Sequence, residues 1–599
     1  MKKIYFSLLA LCAGISLSAE VVSLNEAESV AKMHFASSSI SLAWDGLDQS
    51  TKSSGSEEPA FYVFNNPAGG WVIIAGDNCA EPILAESATG SFNAEAIPVN
   101  FRNYMAGIAH NIASARRAKI IPKTSVRSKW QNVGSTKASA QKKLIETASW
   151  DQEKPYNAYC PEQSSKEDTY TGCVATAMAI VLRHNRWPEQ GKGTIPAYTT
   201  ETSNIKVSAI NIEGYSYNWD NMPLTYGNNA TNTQKEAVAR LMQHLGAMVE
   251  MDYTSSSSGA YSTNIIPALS KYMSYSASAV ELYRMNHSPY EWLSMIKAEI
   301  DADRPIIYGG ADLVDGESGH QFVCDGYDSN GKIHINWGWS GEYNAWYALN
   351  YLGDTSSTGV NGVFSYYDSA IFGLVPDKNG TSKEGIDLML MGDDTKNAGI
   401  MLSSGTVAPG NTFNLSVSYI CNAYTSAYSG KVKFCLVGRD GKVKADISQS
   451  RSLSVEAASD EYYGSAELTN ISCTLPANAV MGDYISLYYT MADGTWTRMP
   501  GSNITDVLNS KKSMYTIDRF GVYDIAYINI PDNLAIGNIL YFDILPGQRL
   551  IKSIKWYYDG TQATKGKEYA TVSSGKHTIK AVISYCDGGT ETVQRVISF

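Results

Sequence analysis

The order of secondary-structure patterns between residues 146 and 376 constrains the fold more than any other feature of this sequence. Apolar residues at helical spacing come first, in segments 173–184, 234–250 and 289–301. After Arg304 the pattern changes to short strand-like runs, at 305–308, 320–324, 332–336 and 345–349. Helices followed by antiparallel strands are typical of α+β domains. We therefore predict one α+β domain over residues 146–376.

A chain of 599 residues is too long for one hydrophobic core, so we expect further domains on both sides. Residues 20–115 combine a short helix, a hairpin signature and a second helix, which predicts a small α+β unit. Beyond a polar segment at 376–384, short alternating strands recur with Gly, Asn and Asp turns. This pattern predicts two immunoglobulin-like β-sandwiches, at 386–512 and 517–599.

Residues 116–145 form a basic segment between the first two units. No acidic residue occurs from Ala96 to Ile145, while Lys and Arg recur throughout. The later half is rich in Ser, Thr, Lys and Gln and has weak periodicity. One interpretation is a solvated linker. The other is a linker that is cut, because proteolytic nicking concentrates in exposed, flexible chain.

The first 19 residues have the features of a signal peptide. Lys2 and Lys3 precede an apolar stretch, Ile4–Ile15, which is too short to span a bilayer. Small residues then provide a cleavage site after Ser18 or Ala19. No later apolar stretch is long enough for a transmembrane helix, and a net charge of −11 does not favour nucleic acid as a partner. We expect a secreted or cell-surface protein, and a monomer.

The nine cysteines do not form a metal-binding or disulfide framework. They are widely spaced and lack Cys-x-x-Cys pairs, which disfavours a zinc site. Most are predicted to be buried thiols, and one pair among Cys421, Cys435 and Cys473 is left open. We expect no metal and no cofactor.

Cys173 is the candidate nucleophile. It follows Gly172 at the predicted start of a helix, where backbone N–H groups lack intrahelical partners. The helix N-terminus favours a thiolate and is expected to lower the thiol pKa. Taken alone, the residue is explained more simply as a buried cysteine. Nucleophilic catalysis also requires a base, a group that orients the base, and donors for the oxyanion.

His320 is the candidate base among the eight histidines. It opens a predicted strand 147 residues after Cys173, a separation found in papain-type enzymes. His334 is the weaker alternative. Asn336 lies on the next strand, where it can accept a hydrogen bond from the imidazole while Trp337 shields that bond from water.

Gln152 lies upstream of Cys173, in a predicted loop. Its side-chain amide can supply a second oxyanion donor beside the backbone N–H of Cys173. A glutamine in a loop carries no information by itself, but this one completes an ordered Gln, Cys, His and Asn series.

With these residues in place, the chain resembles the streptopain family of papain-like cysteine peptidases. The resemblance covers about residues 146–376 and rests on segments in matching order: Trp150–Asn157, Gly172–Ala177, Trp187–Gly193, Tyr217–Pro223, Met251–Ala260, Gly319–Phe322, Asp325–Asp328 and Asn336–Gly341. Two departures are Ser340, where Gly is expected, and Gln321, where Ala is common.

The resemblance implies a papain-like catalytic domain with Cys173 as nucleophile, His320 as base, Asn336 as its orienting group and Gln152 as oxyanion donor. It also implies that residues 20–115 are a pro-domain, because Phe61–Phe64 and Gly70–Asp77 match the pro-domain of the family. Such a pro-domain acts as an intramolecular inhibitor, and the basic segment 116–145 becomes the activation segment.

The same resemblance gives expectations for the substrate site. Proteins or peptides are the expected substrates, and the family prefers an apolar residue at the second position before the cut. We expect Gly259, Ala260, Gly319 and Trp337 to border the site, together with the loop 314–318.

Three functions remain open at this point. The first is a secreted endopeptidase, made as a zymogen, that works through a thioester acyl-enzyme. The second is a papain-fold acyltransferase, although such enzymes usually have Asp where this chain has Asn336. The third is a surface-binding protein with a vestigial catalytic unit, which the two predicted β-sandwiches make worth testing.

Overall fold

The computed structural model of the chain describes most of the sequence beyond residue 19. The described residues are 20–46, 58–117, 122, 124–133, 141–163, 167–284, 289–311, 319–349, 351, 366–382, 385–391, 399–422, 424, 426–438, 442–459, 462–491, 494–502, 517–530, 539–541, 543–545, 547–549, 551–563, 569–571, 573–585 and 587–598. The predicted signal peptide and the loop 314–318 lie outside them. The chain divides into two compact units, one of residues 1–139 with 347–361 and one of residues 140–346 with 362–599.

The first unit is a small α+β fold. Its elements are α1 (Leu24–Phe35), β1 (Ser41–Trp44), β2 (Phe61–Asn65), β3 (Trp71–Ala75), β4 (Ile83–Ser87), α2 (Val99–Arg117) and α3 (Thr124–Gln131). The strands pair antiparallel in sequence order. A capping box between Ser23 and Glu26 begins α1, and Ala27, Val30 and Ala31 pack on the sheet. The predicted helices and hairpin of this unit are confirmed.

Two tyrosines from residues 347–361 belong to the first unit. The ring of Tyr347 packs edge-on against Phe101 and Tyr104, with centroids 6.4 and 5.7 Å away. The side chain of Asn111, on α2, donates to the Tyr351 hydroxyl at 2.6 Å. A short segment from far along the sequence therefore completes the aromatic core of this unit.

The second unit begins with the predicted α+β domain. Its elements are β5 (Lys142–Leu144), α4 (Cys173–Asn185), β6 (Thr194–Ile195), β7 (Tyr198–Thr199), β8 (Lys206–Val207), β9 (Ile210–Asn211), α5 (Asn232–Met248), α6 (Ile265–Met273), β10 (Val280–Tyr283), α7 (Pro289–Asp301), β11 (Ile306–Ala311), β12 (Gly319–Asp328), β13 (Lys332–Asn336), β14 (Ala345–Ala348) and β15 (Tyr366–Phe372). The helices come first and the main strands follow, as predicted.

Helix α4 packs on the central strand of the sheet in this domain. The strand order is β14-β13-β12-β11-β15-β10, and β5 pairs with the C-terminal end of β12. Residues Cys173–Leu182 are all buried, and Val323 of β12 lies in the same hydrophobic cluster. Because side chains alternate along a strand, Gln321 faces α4 with Val323, while His320 and Phe322 face the other side.

Part of the predicted linker 116–145 is regular structure. Helix α3 lies inside this range, and the side chain of its Trp130 donates to the carbonyl of Ala80 at 2.8 Å. Strand β5 also lies inside it and pairs with Gly326–Asp328 of β12. The weak periodicity hid these elements because both are short and take their stability from tertiary contacts.

The remainder of the second unit is built from strands around two separate cores. The strands are β16 (Leu388–Met391), β17 (Ile400–Gly405), β18 (Thr412–Asn422), β19 (Tyr428–Val437), β20 (Val443–Asp446), β21 (Arg451–Val455), β22 (Gly464–Thr474), β23 (Tyr484–Thr490), β24 (Trp496–Arg498), β25 (Gly501–Ser502), β26 (Phe520–Gly521), β27 (Tyr527–Asn529), β28 (Ile539–Tyr541), β29 (Asp543–Leu545), β30 (Ile551–Tyr558), β31 (Thr561–Gln562), β32 (Tyr569–Thr571), β33 (Lys576–Tyr585) and β34 (Thr590–Ser598).

The boundary between the two cores lies later than predicted. Ile517, Phe520 and Val522 pack into the first core, and β26 pairs with β23. The second core begins at Ala526. The predicted start at 517 is therefore displaced by several residues, because β26 completes the preceding sheet. An immunoglobulin-like topology for the two regions stays a prediction.

Cys421, Cys435 and Cys473 are free thiols, so the pairing left open by the sequence does not form. Within the described ranges, no helix is long and apolar enough to cross a membrane.

Candidate active site

Gly172 sets the start of α4 and the position of Cys173. Its backbone has φ 85° and ψ 144°, a region that side-chain-bearing residues rarely adopt. A Cβ atom at this position would lie 2.4 Å from the sulfur of Met251 and 3.1 Å from the carbonyl oxygen of Ser258. Glycine therefore lets the chain turn tightly into the helix, with Cys173 as its first residue.

The Cys173 thiol is buried and bonded to backbone amides. Burial raises the pKa of the thiol above its usual value, and the nearby backbone N–H groups, that of Gln321 foremost, offset this effect only in part. The expected lowering of the pKa by the helix N-terminus is thus wrong for this conformation, because desolvation is the larger effect. At neutral pH the group is a thiol.

His320 lies on β12 and is also buried. Its Nε2 lies 3.0 Å from the carbonyl oxygen of Trp337. Because a carbonyl can only accept, the proton of the neutral ring is on Nε2 and the basic lone pair is on Nδ1. Burial lowers the pKa of His320 to about 4, and the bond to Trp337 raises it only partly. The imidazole is therefore neutral at neutral pH.

Asn336 does not bind the imidazole directly, contrary to the sequence-based prediction. Its Nδ2 donates to the Thr147 hydroxyl and to the Ala148 carbonyl, each at 2.9 Å. Its Oδ1 accepts from the backbone N–H of Gly338 at 3.2 Å. The amide of Asn336 is thereby occupied, and the carbonyl of the next residue, Trp337, receives the imidazole proton instead.

Gln152 is held beside Cys173 by its backbone. The N–H of Thr171, two residues before Cys173, donates to the Gln152 carbonyl at 3.1 Å. The side chain of Gln152 is half-buried. The same loop is fixed from the other side, because the Ser340 hydroxyl donates to the carboxylate of Asp151 at 2.5 Å.

Ser340 is one of the two departures from the family pattern, and the structure explains its role. Its φ is 53°, in the left-handed region that favours glycine. The bond to Asp151 and a backbone bond from its N–H to the Trp150 carbonyl at 2.9 Å hold it there. A serine at this position keeps the turn and adds a link to the Gln152 loop.

The four predicted substrate-binding residues have different environments. Gly259 is exposed, with open space where a Cβ would lie, and its N–H and carbonyl bond to Asp252. Ala260 is half-buried against the α4 core. Gly319 is exposed at the start of β12, opposite Ala311. All three stay candidates.

Trp337 is the exception, because its side chain is completely buried. Its ring stacks parallel to Trp339 at 5.2 Å and packs against Phe322 at 5.0 Å. The Trp337 indole is therefore shielded from solvent in this conformation, and its place at the border of the substrate site stays a prediction. Trp337 contributes its backbone carbonyl, which binds His320, and its ring, which packs against Trp339 and Phe322.

His334, the alternative base, is bonded elsewhere. Its Nδ1 lies 2.5 Å from Oδ1 of Asp325, and its ring packs edge-on against Trp346 at 5.0 Å. Trp339, Thr147 and Asp325 also contact the candidate residues and were not among the predicted site residues. The Trp339 ring stacks on His320 at 4.7 Å, and the repeated tryptophans at 337 and 339 were the sequence signal that could have identified Trp339.

Among the residues the structure describes, no group of three His, Cys, Asp or Glu could hold a metal ion.

The elements and side chains together define a class of enzyme. A cysteine at the free N-terminus of a buried helix, packed on the strand of an antiparallel sheet that carries a histidine, is an arrangement that suits nucleophilic cysteine chemistry. Comparison with known proteins agrees. Residues 150–347 match the peptidase C10 family, and residues 19–112 match a family described as Spi protease inhibitor.

Two curated relatives carry the comparison further. Streptopain of Streptococcus pyogenes is 31% identical over 333 residues, which are 53% of this chain and 80% of streptopain. The thiol protease/hemagglutinin PrtT of Porphyromonas gingivalis is 31% identical over 398 residues, 63% of this chain and 45% of PrtT. This chain therefore spans less than half of the length of PrtT.

Among solved structures, a mutant fragment of prointerpain A from Prevotella intermedia is 26% identical and covers 58% of this chain and 100% of the fragment, with a TM-score of 0.44. The chain belongs to the peptidase C10 family, the cysteine peptidases related to streptopain.

Proposed function

We propose that this chain is a secreted cysteine endopeptidase made as a zymogen, with Cys173 as nucleophile and His320 as base. One observation carries the proposal. Cys173 begins α4, and the N–H of Gln321, the residue that follows His320, binds its sulfur. The nucleophile and the strand that carries the base are thus directly connected. Export is supported by the predicted signal peptide.

In the proposed reaction, Nδ1 of His320 takes the proton of the Cys173 thiol, and the thiolate attacks the carbonyl carbon of the scissile bond. The oxyanion accepts from the backbone N–H of Cys173 and from the side-chain amide of Gln152. The amine leaves with the imidazole proton, and a thioester forms. A water molecule, deprotonated by His320, then attacks the thioester and releases the acid and the thiol.

The protonation states of the described conformation fit a latent enzyme. The raised pKa of Cys173 and the lowered pKa of His320 both favour the neutral forms, whereas the reaction requires a thiolate. Both shifts have desolvation as their main cause, so a rearrangement that admits water reverses both. We propose that residues 20–115 act as the intramolecular inhibitor, supported by the match of residues 19–112 to an inhibitor family.

The proposal is tested by comparing the secreted wild-type chain with Cys173→Ala. Wild type is expected to lose residues up to the activation segment and to release new amino termini from casein, while Cys173→Ala does neither. Cys421→Ala is the matched control, because it removes a buried thiol on β18, outside the catalytic domain. Maturation of purified Cys173→Ala without added enzyme would contradict the assignment of the nucleophile.

The same samples separate the alternative functions. An acyltransferase would modify casein without releasing amino termini. A binding protein with a vestigial site would leave Cys173 unreactive toward a thiol-directed epoxide, whereas a working site is labelled in the folded, matured protein and loses this reactivity on denaturation.

A further inference from the structure

The peptide unit between Trp337 and Gly338 connects Asn336 to His320. Its carbonyl oxygen lies 3.0 Å from Nε2 of His320. Its N–H donates to Oδ1 of Asn336 at 3.2 Å. A peptide unit is planar, with its C=O and N–H pointing in opposite directions. The bond to Asn336 at one end therefore fixes the direction of the acceptor at the other end.

The side-chain amide of Asn336 is itself held in a single orientation. Its Nδ2 donates to two acceptors, the Thr147 hydroxyl and the Ala148 carbonyl, and the side chain is buried. Exchange of the amide oxygen and nitrogen would place two oxygens against each other at Ala148 and two N–H groups against each other at Gly338. The orientation of Asn336 thus depends on the partners on residues 147 and 148.

The Thr147 hydroxyl can act in only one way in this series of hydrogen bonds, as acceptor from Asn336 and donor to Asp325. An amide nitrogen only donates, so Oγ1 of Thr147 accepts from Asn336 and its own proton is free to be donated. That proton goes to Oδ2 of Asp325 at 2.5 Å. The other carboxylate oxygen of Asp325 lies 2.5 Å from Nδ1 of His334. Asp325 is buried, with only 2% of its surface exposed.

We propose that Thr147 and Asp325 are positioning residues for the catalytic histidine, acting through Asn336 and the Trp337–Gly338 peptide. The carboxylate orients the Thr147 hydroxyl, the hydroxyl orients the Asn336 amide, and the amide fixes the carbonyl that keeps the proton of His320 on Nε2. His334 holds the carboxylate in place. This inference rests on the proposed function, because it assigns His320 as the base.

Substitution of Thr147 in the full-length chain provides the test. Thr147→Val keeps the shape of the side chain and removes the hydroxyl, while Thr147→Ser keeps the hydroxyl. Each variant is matured with wild-type enzyme, so that slow self-processing does not affect the result. We expect Thr147→Val to lower kcat about 3- to 10-fold, the effect of one lost hydrogen bond, with KM nearly unchanged. Thr147→Ser should remain within about twofold of wild type.

A control separates positioning from a general loss of stability. Thr169→Val removes another buried threonine hydroxyl, which donates to the Pro161 carbonyl at 2.7 Å, and its kcat should stay at the wild-type value. Asp325→Asn is the second variant. The carboxylate of Asp325 accepts at two oxygens, from Thr147 and from His334, whereas an asparagine amide has only one accepting oxygen. This variant should therefore lower kcat in the same way.

Several results would overturn the inference. Wild-type kcat in Thr147→Val would show that the Thr147 hydroxyl does not position His320. An equal loss in Thr147→Ser, or the same loss in Thr169→Val, would assign the effect to packing. If Thr147→Val does not fold, wild-type kcat in Asp325→Asn alone would overturn it. Failure of the proposed function is distinguishable, because then the wild-type enzyme itself would not cleave casein.

Discussion

Gly172→Ala tests how strongly one residue determines the active-site geometry. The backbone at φ 85° and ψ 144° costs a side-chain-bearing residue about 1–3 kcal/mol. The added Cβ would also lie 2.4 Å from the sulfur of the fully buried Met251, and overpacking of this kind costs about 1–3 kcal/mol. The two effects together predict a loss of about 2–6 kcal/mol, a large share of the about 5–15 kcal/mol that stabilises a typical domain.

Gly193→Ala is the matched control for Gly172→Ala. Gly193 also has a positive φ, 71°, but no atom lies within 4 Å of the position of its Cβ. This variant should lose only the backbone contribution, about 1–2 kcal/mol. The difference between the two variants therefore isolates the contact with Met251 and Ser258.

For the full-length, unprocessed chain, labelling of the Cys173 thiol by a general thiol reagent in increasing urea is a suitable assay, because the thiol is buried in the described conformation and accessible after unfolding. The midpoint for Gly172→Ala should fall well below that for Gly193→Ala. Equal midpoints would refute the steric argument, and a midpoint equal to wild type would refute the backbone argument as well.

Three further predictions concern titratable groups. The bond to Asp559 raises the pKa of His577, so the stabilising effect of this bond is complete below the usual His pKa and is lost as the pH rises through the folded pKa. The urea midpoints of wild type and His577→Gln should therefore converge as the pH rises above the usual His pKa of about 6.5. Burial raises the pKa of Asp387 to about 6. The free energy of unfolding of wild type should therefore fall as the pH rises from about 4 to 6. At pH 7, Asp387→Asn should be more stable than wild type by about 1–3 kcal/mol in urea unfolding. Trp339→Ala should raise the pKa of His320 above about 4 toward its usual value by exposing the ring, which an NMR titration of the imidazole would measure.

The sequence was sufficient to propose the side chains of a catalytic site. Cys173 and His320 each had a local signal, a glycine before an apolar helix and a position at the start of a strand, whereas Gln152 was selected only as a member of the ordered series. Helices α4, α5 and α7 were also predicted within about two residues, because their apolar faces repeat at helical spacing, whereas the short helix α6 was not predicted. Features set by neighbouring residues in the sequence, such as a glycine before an apolar helix, can be predicted without a structure.

Interactions made by the backbone could not be predicted in the same way. The carbonyl of Trp337 binds His320, and the N–H of Gln321 is directed at the Cys173 sulfur, yet every residue type carries a carbonyl and nearly every one an N–H. Their use depends on how β12 and α4 pack together. The direction of the pKa shift of Cys173 was missed for a related reason, because burial is a property of the assembled domain.

Strand β5 limits how far proteolysis can shorten the N-terminal side of the catalytic domain without exposing an edge of its sheet. It occupies the edge of β12 at Gly326–Asp328, and a Cβ at Gly326 would lie 2.7 Å from the carbonyl oxygen of Lys143. A protease that removed residues 142–144 would leave the backbone of Gly326–Asp328 open for pairing with a strand of another molecule. Over-processing would then promote aggregation even with every catalytic group intact. The useful lifetime of the mature enzyme in a protease-rich medium should therefore depend on how firmly these three residues stay paired.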